Sequence, residues 1–192
     1  MSFIIAFIVF LTWSFYRLAF PESLYLDEFL LKPLIWLLPI YLITKFKNLG
    51  FVNKKVFQNI LIGLGVGLVF SLERLFTKHF EFQSTQIFLT ILVCLATALT
   101  EEIFFRGFLL NRWLKFFKPS WLALIANGLF FTFTHLPLAI FQLHYSGYDL
   151  LTYCISNFVS GFVDIYLFFV TGSIYAPIAN HFVWNVFSTI FR

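Results

Sequence analysis

Seven apolar runs follow one another along the chain at 2–20, 30–44, 56–76, 86–110, 120–143, 150–170 and 173–191, separated by short polar connections. A helix needs about 20 residues to cross the hydrocarbon layer of a bilayer. A chain inside lipid must also satisfy its backbone polar groups within itself, which here leaves helices as the option. Composition agrees: 60% of the residues are hydrophobic, 11% are charged, and no soluble core of this size would hide 30 phenylalanines. The expected fold is therefore all-α, a polytopic transmembrane helical bundle of about seven helices. No 20–50-residue repeat and no low-complexity linker divides it, so 1–192 reads as a single transmembrane domain in the cell membrane.

Local signals refine this plan. The second run is short and carries Pro33 and Pro39, which predicts a kink. Pro119 falls where a helix would start, and Gly172 separates the last two runs so closely that they should be antiparallel neighbours. The first run has neither a basic flank nor a small-residue cleavage site, so it reads as a retained helix. Cys94 and Cys154 lie inside apolar runs without metal-ligand or redox spacing. Gly63 and Gly67 make a small-residue face for helix packing. The net charge of +4 comes from short basic groups, not from a basic stripe, and no nucleic acid is expected as partner. Seven basic residues (Lys45, Lys47, Lys54, Lys55, Arg112, Lys115 and Lys118) fall on one side of a seven-span chain. Five (Arg17, Lys32, Arg74, Lys78 and Arg192) fall on the other, which predicts a cytoplasmic N-terminus. Trp113 and Trp121 flank the fourth connection, as an interfacial belt would.

Polar residues inside apolar runs are expensive and count as functional candidates. Glu101, Glu102 and Arg106 lie in the fourth run, Asn127 and His135 in the fifth, Asn157 and Asp164 in the sixth, and Asn180, His181 and Asn185 in the seventh. The chemistry is thus expected in 86–191, with 1–80 as scaffold. Glu102 and Arg106 are four apart in the favourable order for a helical ion pair. Glu101 points about 100° away and is left to face a cavity. His181 and Asn185 share one helix face. From the helix ends, the three groups differ in depth by about 10 Å in a layer about 30 Å thick, so they are able to meet.

Each group also has a plain structural reading. The Glu-Glu-Arg cluster suits an interhelical clamp, His135 a bond to a neighbouring carbonyl, and His181 with Asn185 a polar contact between helices. Asp164 and Asn157 read as polar partners or cavity wall, and His79 and His144 as solvated residues of connections.

Taken together, Glu101-Glu102-x-x-x-Arg106, Phe131-x-x-x-His135 and His181-x-x-x-Asn185, in that order, resemble the motif set of the CPBP family. These are the CAAX prenyl-protease and bacteriocin-processing proteins, also called Abi proteins or intramembrane glutamic endopeptidases. Gly107 after Arg106, and the stretch from Thr171 to Ile178 leading into His181, are similar too. The resemblance covers about residues 99–185. It implies an enzyme that hydrolyses a peptide bond in a lipidated or membrane-associated protein or peptide. By position, Glu101 would be the general base, His135 would help hold and activate the water, and His181 and Asn185 would form the oxyanion site, with Glu102 and Arg106 in support. It implies no cofactor and no metal.

Alternatives stay open at this level. Two histidines and two carboxylates also suit a zinc-dependent version of the same protease, although no His-Glu-x-x-His is present. A non-catalytic bacteriocin-immunity or regulatory membrane protein would keep the same fold. A small transporter would use the buried charges as a relay, but neither internal repeats nor paired broken helices support it.

Overall fold

The computed structural model describes residues 1–20, 23–77 and 87–191. Among these it contains seven helices and no strand, and the chain is an all-α polytopic bundle. Helix α1 is Ser2–Ala19. Helix α2 covers residues 24–44 and includes two π-helical stretches, Asp27–Leu31 and Pro33–Leu37. Helix α3 is Val56–Thr77, α4 is Ile87–Phe116, α5 is Trp121–Phe141, α6 is Gly147–Thr171 and α7 is Tyr175–Ile190. Four of them (α1, α4, α5 and α6) are long and apolar enough to cross a membrane.

Two boundaries differ from the sequence reading. Helix α2 begins at Leu24, because Asp27, Glu28 and Lys32 find partners inside the bundle and need not remain in a connection. Helix α4 continues to Phe116, so Arg112 and Lys115 lie in its last turns and not in a loop. Trp113 is buried against Phe3 and Phe130 and is no interfacial belt residue, whereas Trp121 is exposed. Gly172 ends α6 as expected, in the left-handed conformation at φ 60°. His144 is exposed in its connection; His79, Lys78 and Arg192 lie outside the described residues.

The helices alternate in direction and so give the bundle two distinct ends. At one end the 45–55 connection is tied to the others: Ile174 N donates to Gly50 O, and Asn111 Nδ2 donates to Asn48 O. This end carries the lysines of 45–55. At the other end, Gln142 Nε2 donates to Arg17 O and Phe20 O, joining the end of α5 to that of α1.

The half nearer the basic end is solid. Trp36 and Ile40 from α2, Phe104, Phe105, Phe108, Leu109 and Leu110 from α4, Ile165 from α6 and Ile174 beside α7 are fully buried there. Trp36 packs its ring 5.2 Å from Phe104 and 5.5 Å from Phe105. Helix α3 lies close against α7 along the glycine face read from the sequence. A Cβ on Gly63 would stand 2.1 Å from Ala176 O, and one on Gly67 would stand 2.8 Å from Val183 Cβ. That close approach holds in place the helix that carries His181 and Asn185.

Candidate active site

Helix α4 changes character where the acidic pair sits. It is α-helical through Glu102 and π-helical over Ile103–Leu110. Wide i→i+5 turns are uncommon and concentrate at functional sites. Asn127 on α5 donates Nδ2 to Phe105 O in this stretch at 3.1 Å, so α5 is pinned to the π-helical turn.

Glu102 is fully buried and serves two donors through one oxygen. Its Oε1 accepts from Arg106 Nη1 at 2.9 Å and from His181 Nδ1 at 2.7 Å. Arg106 is equally buried; it also donates Nη2 to Gly161 O at 2.7 Å and lies 4.7 Å from the centre of the Phe131 ring. Gly161 has to be small for this, since a Cβ there would stand 2.7 Å from Phe131 Cδ1. Asp164 completes the group: Oδ1 accepts from Asn180 Nδ2 at 2.7 Å, and Oδ2 stands 3.9 Å from Arg106 Nη2. The ion pair read from spacing is thus a network joining α4, α6 and α7.

Glu101 points elsewhere, as its angular offset predicted, but it is not free of charge partners. Lys32 Nζ donates to Glu101 Oε1 at 2.7 Å and is 2.6 Å from Glu28 Oε1. All three side chains are buried. Helix α2 therefore adds an acid and a cation to a cluster that the sequence reading confined to the C-terminal half. The Glu28-x-x-x-Lys32 spacing was the available signal. A lysine at the edge of a short apolar run carries the same signature as a topological flank.

The other oxygen of Glu101 has no hydrogen-bond partner among the described residues. Two imidazoles face it: His135 Nε2 at 3.9 Å and His181 Nε2 at 3.8 Å. His135 Nδ1 is 2.9 Å from Phe131 O, and a carbonyl only accepts, so Nδ1 carries the proton and a neutral ring turns a lone pair toward Glu101. The plain reading of His135, a bond to a neighbouring carbonyl, and its placement beside Glu101 hold at once. His181 Nδ1 is fixed the same way by Glu102.

A cavity of about 400 Å³ opens beside Glu101. His135 and Asn185 line it together with Lys32 and Glu28; His181, whose Nε2 is 3.8 Å from Glu101 Oε2, is not in its wall. The Asn185 carboxamide makes no hydrogen bond to another described residue. Every lining residue belongs to the half of its helix farther from the 45–55 connection, for example Trp13 and Arg17 on α1, Thr134 and Leu138 on α5, and Ser188 and Thr189 on α7. With the basic-end half packed solid, Glu101 is approached from the opposite end. Asn157 bonds Tyr153 O within its own helix and takes no part.

Two sets of groups bear on metal binding. Among the described residues, Glu102, Asp164 and His181 bring ligand atoms within 4.8 Å of one another. The Arg106 guanidinium already supplies a positive charge between those carboxylates. Beside the second set, Glu101 with its two imidazoles, Lys32 already places a positive charge against the carboxylate.

The fold and this site define a class: a helical membrane protein with acid, imidazole and amide groups gathered in a buried pocket. Residues 83–187, more than half of the chain, match the family model described as type II CAAX prenyl endopeptidase Rce1-like, and the chain belongs to that family. The match spans Glu101, Glu102, Arg106, His135, His181 and Asn185; Arg17, Glu28 and Lys32 lie before it. No curated protein and no solved structure matches the chain.

Proposed function

We propose that this chain is an intramembrane endopeptidase that hydrolyses a peptide bond in a membrane-associated protein or peptide by metal-free acid–base chemistry centred on Glu101. The observation that carries this reading is the unpartnered Oε2 of Glu101 facing two imidazole Nε2 atoms at 3.8 and 3.9 Å. These separations are too long for direct hydrogen bonds and are the kind that a single water bridges.

In this reading the water donates to Glu101 Oε2 and to His135 Nε2. Its oxygen attacks the scissile carbonyl carbon as Glu101 takes a proton. The oxyanion receives the Asn185 amide from the cavity wall, while His181, outside that wall, keeps Nδ1 on Glu102 and turns Nε2 toward the Glu101 carboxylate. Donors held in place in a dry pocket stabilise such charge strongly. The C–N bond then breaks as the proton passes from Glu101 to the leaving nitrogen, giving a carboxylic acid and an amine. Lys32 is a positioning residue: it holds Oε1 and leaves Oε2 to the water. Glu102 and Arg106 support His181.

The charge arrangement favours a metal-free version, since Lys32 and Arg106 already supply the cations that a metal would bring. It also bears on orientation. Arg17 pairs with Asp27 and Lys32 with Glu28 and Glu101 inside the bundle, so neither is a loop charge. The remaining basic residues concentrate at the 45–55 and 112–118 end, which supports a cytoplasmic N-terminus and a cavity reached from the other face.

The test is a cleavage assay with the purified protein in detergent or liposomes, comparing wild type with Glu101→Gln, His135→Ala and Asn185→Ala, with and without chelator. Loss of cleavage in Glu101→Gln is expected, and full activity in that variant would overturn the assignment. The immunity or regulatory reading would gain if partner protection survived in all three variants.

A further inference from the structure

We propose that Glu28 is a positioning residue of the cleavage reaction: it shares the Lys32 ammonium with Glu101, so that Lys32 orients the base without neutralising it. This rests on the endopeptidase reading and deepens it.

Lys32 stands between two acids. Its Nζ is 2.6 Å from Glu28 Oε1 and 2.7 Å from Glu101 Oε1. The same ammonium lies 5.8 Å from the Trp13 ring centre and 5.6 Å from that of Trp36, so two indoles fix its place. All three charged side chains are buried and line one cavity. Arg17, the other lysine or arginine among the described lining residues, is paired with Asp27. Within that lining, one cation therefore serves two anions.

The second acid is not needed to join the helices. Lys32 with Glu101 already ties α2 to α4, whereas Glu28 lies on the same helix as Lys32, four residues before it. It adds no link between helices, and burying a further charge is costly. Helix α2 is π-helical over Asp27–Leu31, where Glu28 sits, and α4 is π-helical over Ile103–Leu110, just past Glu101. Wide turns of this kind concentrate at functional sites. Glu28 and Lys32 both precede the residues that the family model matches.

Electrostatics gives the second acid a task. A carboxylate with an ammonium to itself holds its negative charge and is slow to take a proton from water. The two Oε1 atoms share one nitrogen, so they are no more than about 5.3 Å apart, and each carboxylate offsets the cation for the other. With both acids ionised, the trio keeps one net negative charge for the base. The remaining titratable groups around Glu101 are His135 from α5 and His181 from α7, which face Oε2, and Glu102, which is turned to Arg106.

The experiment compares wild type with Glu28→Gln, Glu28→Asp, Lys32→Met and the double variant Glu28→Gln/Lys32→Met in detergent. The probe is a farnesylated peptide ending in Cys-Ala-Ala-Leu, the tail chemistry that the family description names. Values of kcat and KM are taken on the folded protein, with thermal unfolding followed in parallel. Glu28→Gln keeps an acceptor for Lys32 and removes only the charge. It is expected to lower kcat at least about tenfold while KM stays within about twofold, and Glu28→Asp to recover part of the loss. In the Lys32→Met background the same substitution is expected to act in the opposite direction, raising kcat at least about fivefold, because it removes the surplus carboxylate beside Glu101. Lys32→Gln takes the place of Lys32→Met if that variant does not fold. Unchanged kcat in folded Glu28→Gln, or a loss in both backgrounds, would overturn the proposal. If wild type leaves the peptide uncut, the endopeptidase reading falls and unfolding decides the rest. A reversal of sign between the two backgrounds would then keep the shared ammonium, and additive shifts would remove it too.

Discussion

Lys32 on α2 places its Nζ 2.7 Å from Oε1 of Glu101 on α4, across a separation of 69 residues. Removing one partner of a buried ion pair leaves the other charge uncompensated, at about 3–5 kcal/mol. Lys32→Met is therefore expected to lower kcat/KM at least about a hundredfold, with Lys32→Arg recovering part of the loss. Steady-state cleavage, with unfolding followed in parallel, checks this. Wild-type kcat in a folded Lys32→Met protein would remove Lys32 from the positioning role.

Arg106 uses the planar fork that lysine lacks, bonding Glu102 and Gly161 O while stacking on Phe131. Arg106→Lys is expected to destabilise the protein by about 2–4 kcal/mol and to release His181 from its orientation. Thermal unfolding in detergent reads the first effect and cleavage the second.

The glycines of α3 separate packing from propensity. Gly63→Ala would drive a Cβ to 2.1 Å from Ala176 O, so α7 has to move, and losses in both stability and activity are expected. A Cβ on Gly65 meets nothing within 4 Å, and Gly65→Ala is expected to be neutral or stabilising by up to about 1 kcal/mol. Equal effects at the two positions would contradict the packing of α3 on α7.

With Lys32 and Arg106 supplying the positive charge, cleavage is expected to persist in excess chelator. Activity lost to the chelator and restored by zinc would replace the metal-free mechanism with the zinc-dependent one.

Cysteines placed singly in a Cys94→Ser/Cys154→Ser background locate the mouth of the cavity. Lys47→Cys is expected to react with a membrane-impermeant maleimide from the cytoplasmic face, and Ser188→Cys from the other. Labelling of both from one face would contradict the orientation.

Much of the site was legible before folding was considered, because helical geometry is local. The Glu102 and Arg106 pair followed from a spacing of four, and the divergence of Glu101 followed from its angular offset. Their convergence with His135 and His181 was readable only as permitted, since depth says nothing about rotation. Asp164 was read as a polar partner and is one. The cation on Glu101 was hidden: Lys32 sits beside Pro33 in a short run, and a lysine at the edge of an apolar segment looks like a topological flank.

What the sequence by itself determined is the class of structure: apolar runs of membrane length force helices, and buried polar groups inside them mark where chemistry is tolerable. The tertiary structure decided which charges neutralise one another. An ion pair between separate helices depends on their mutual rotation and approach, and those were set by packing such as the glycine face of α3 on α7 and the aromatic layer around Trp36. Spacing along one chain cannot encode an angle between two, so the pairing of Glu101 with Lys32 emerged only from the assembled bundle.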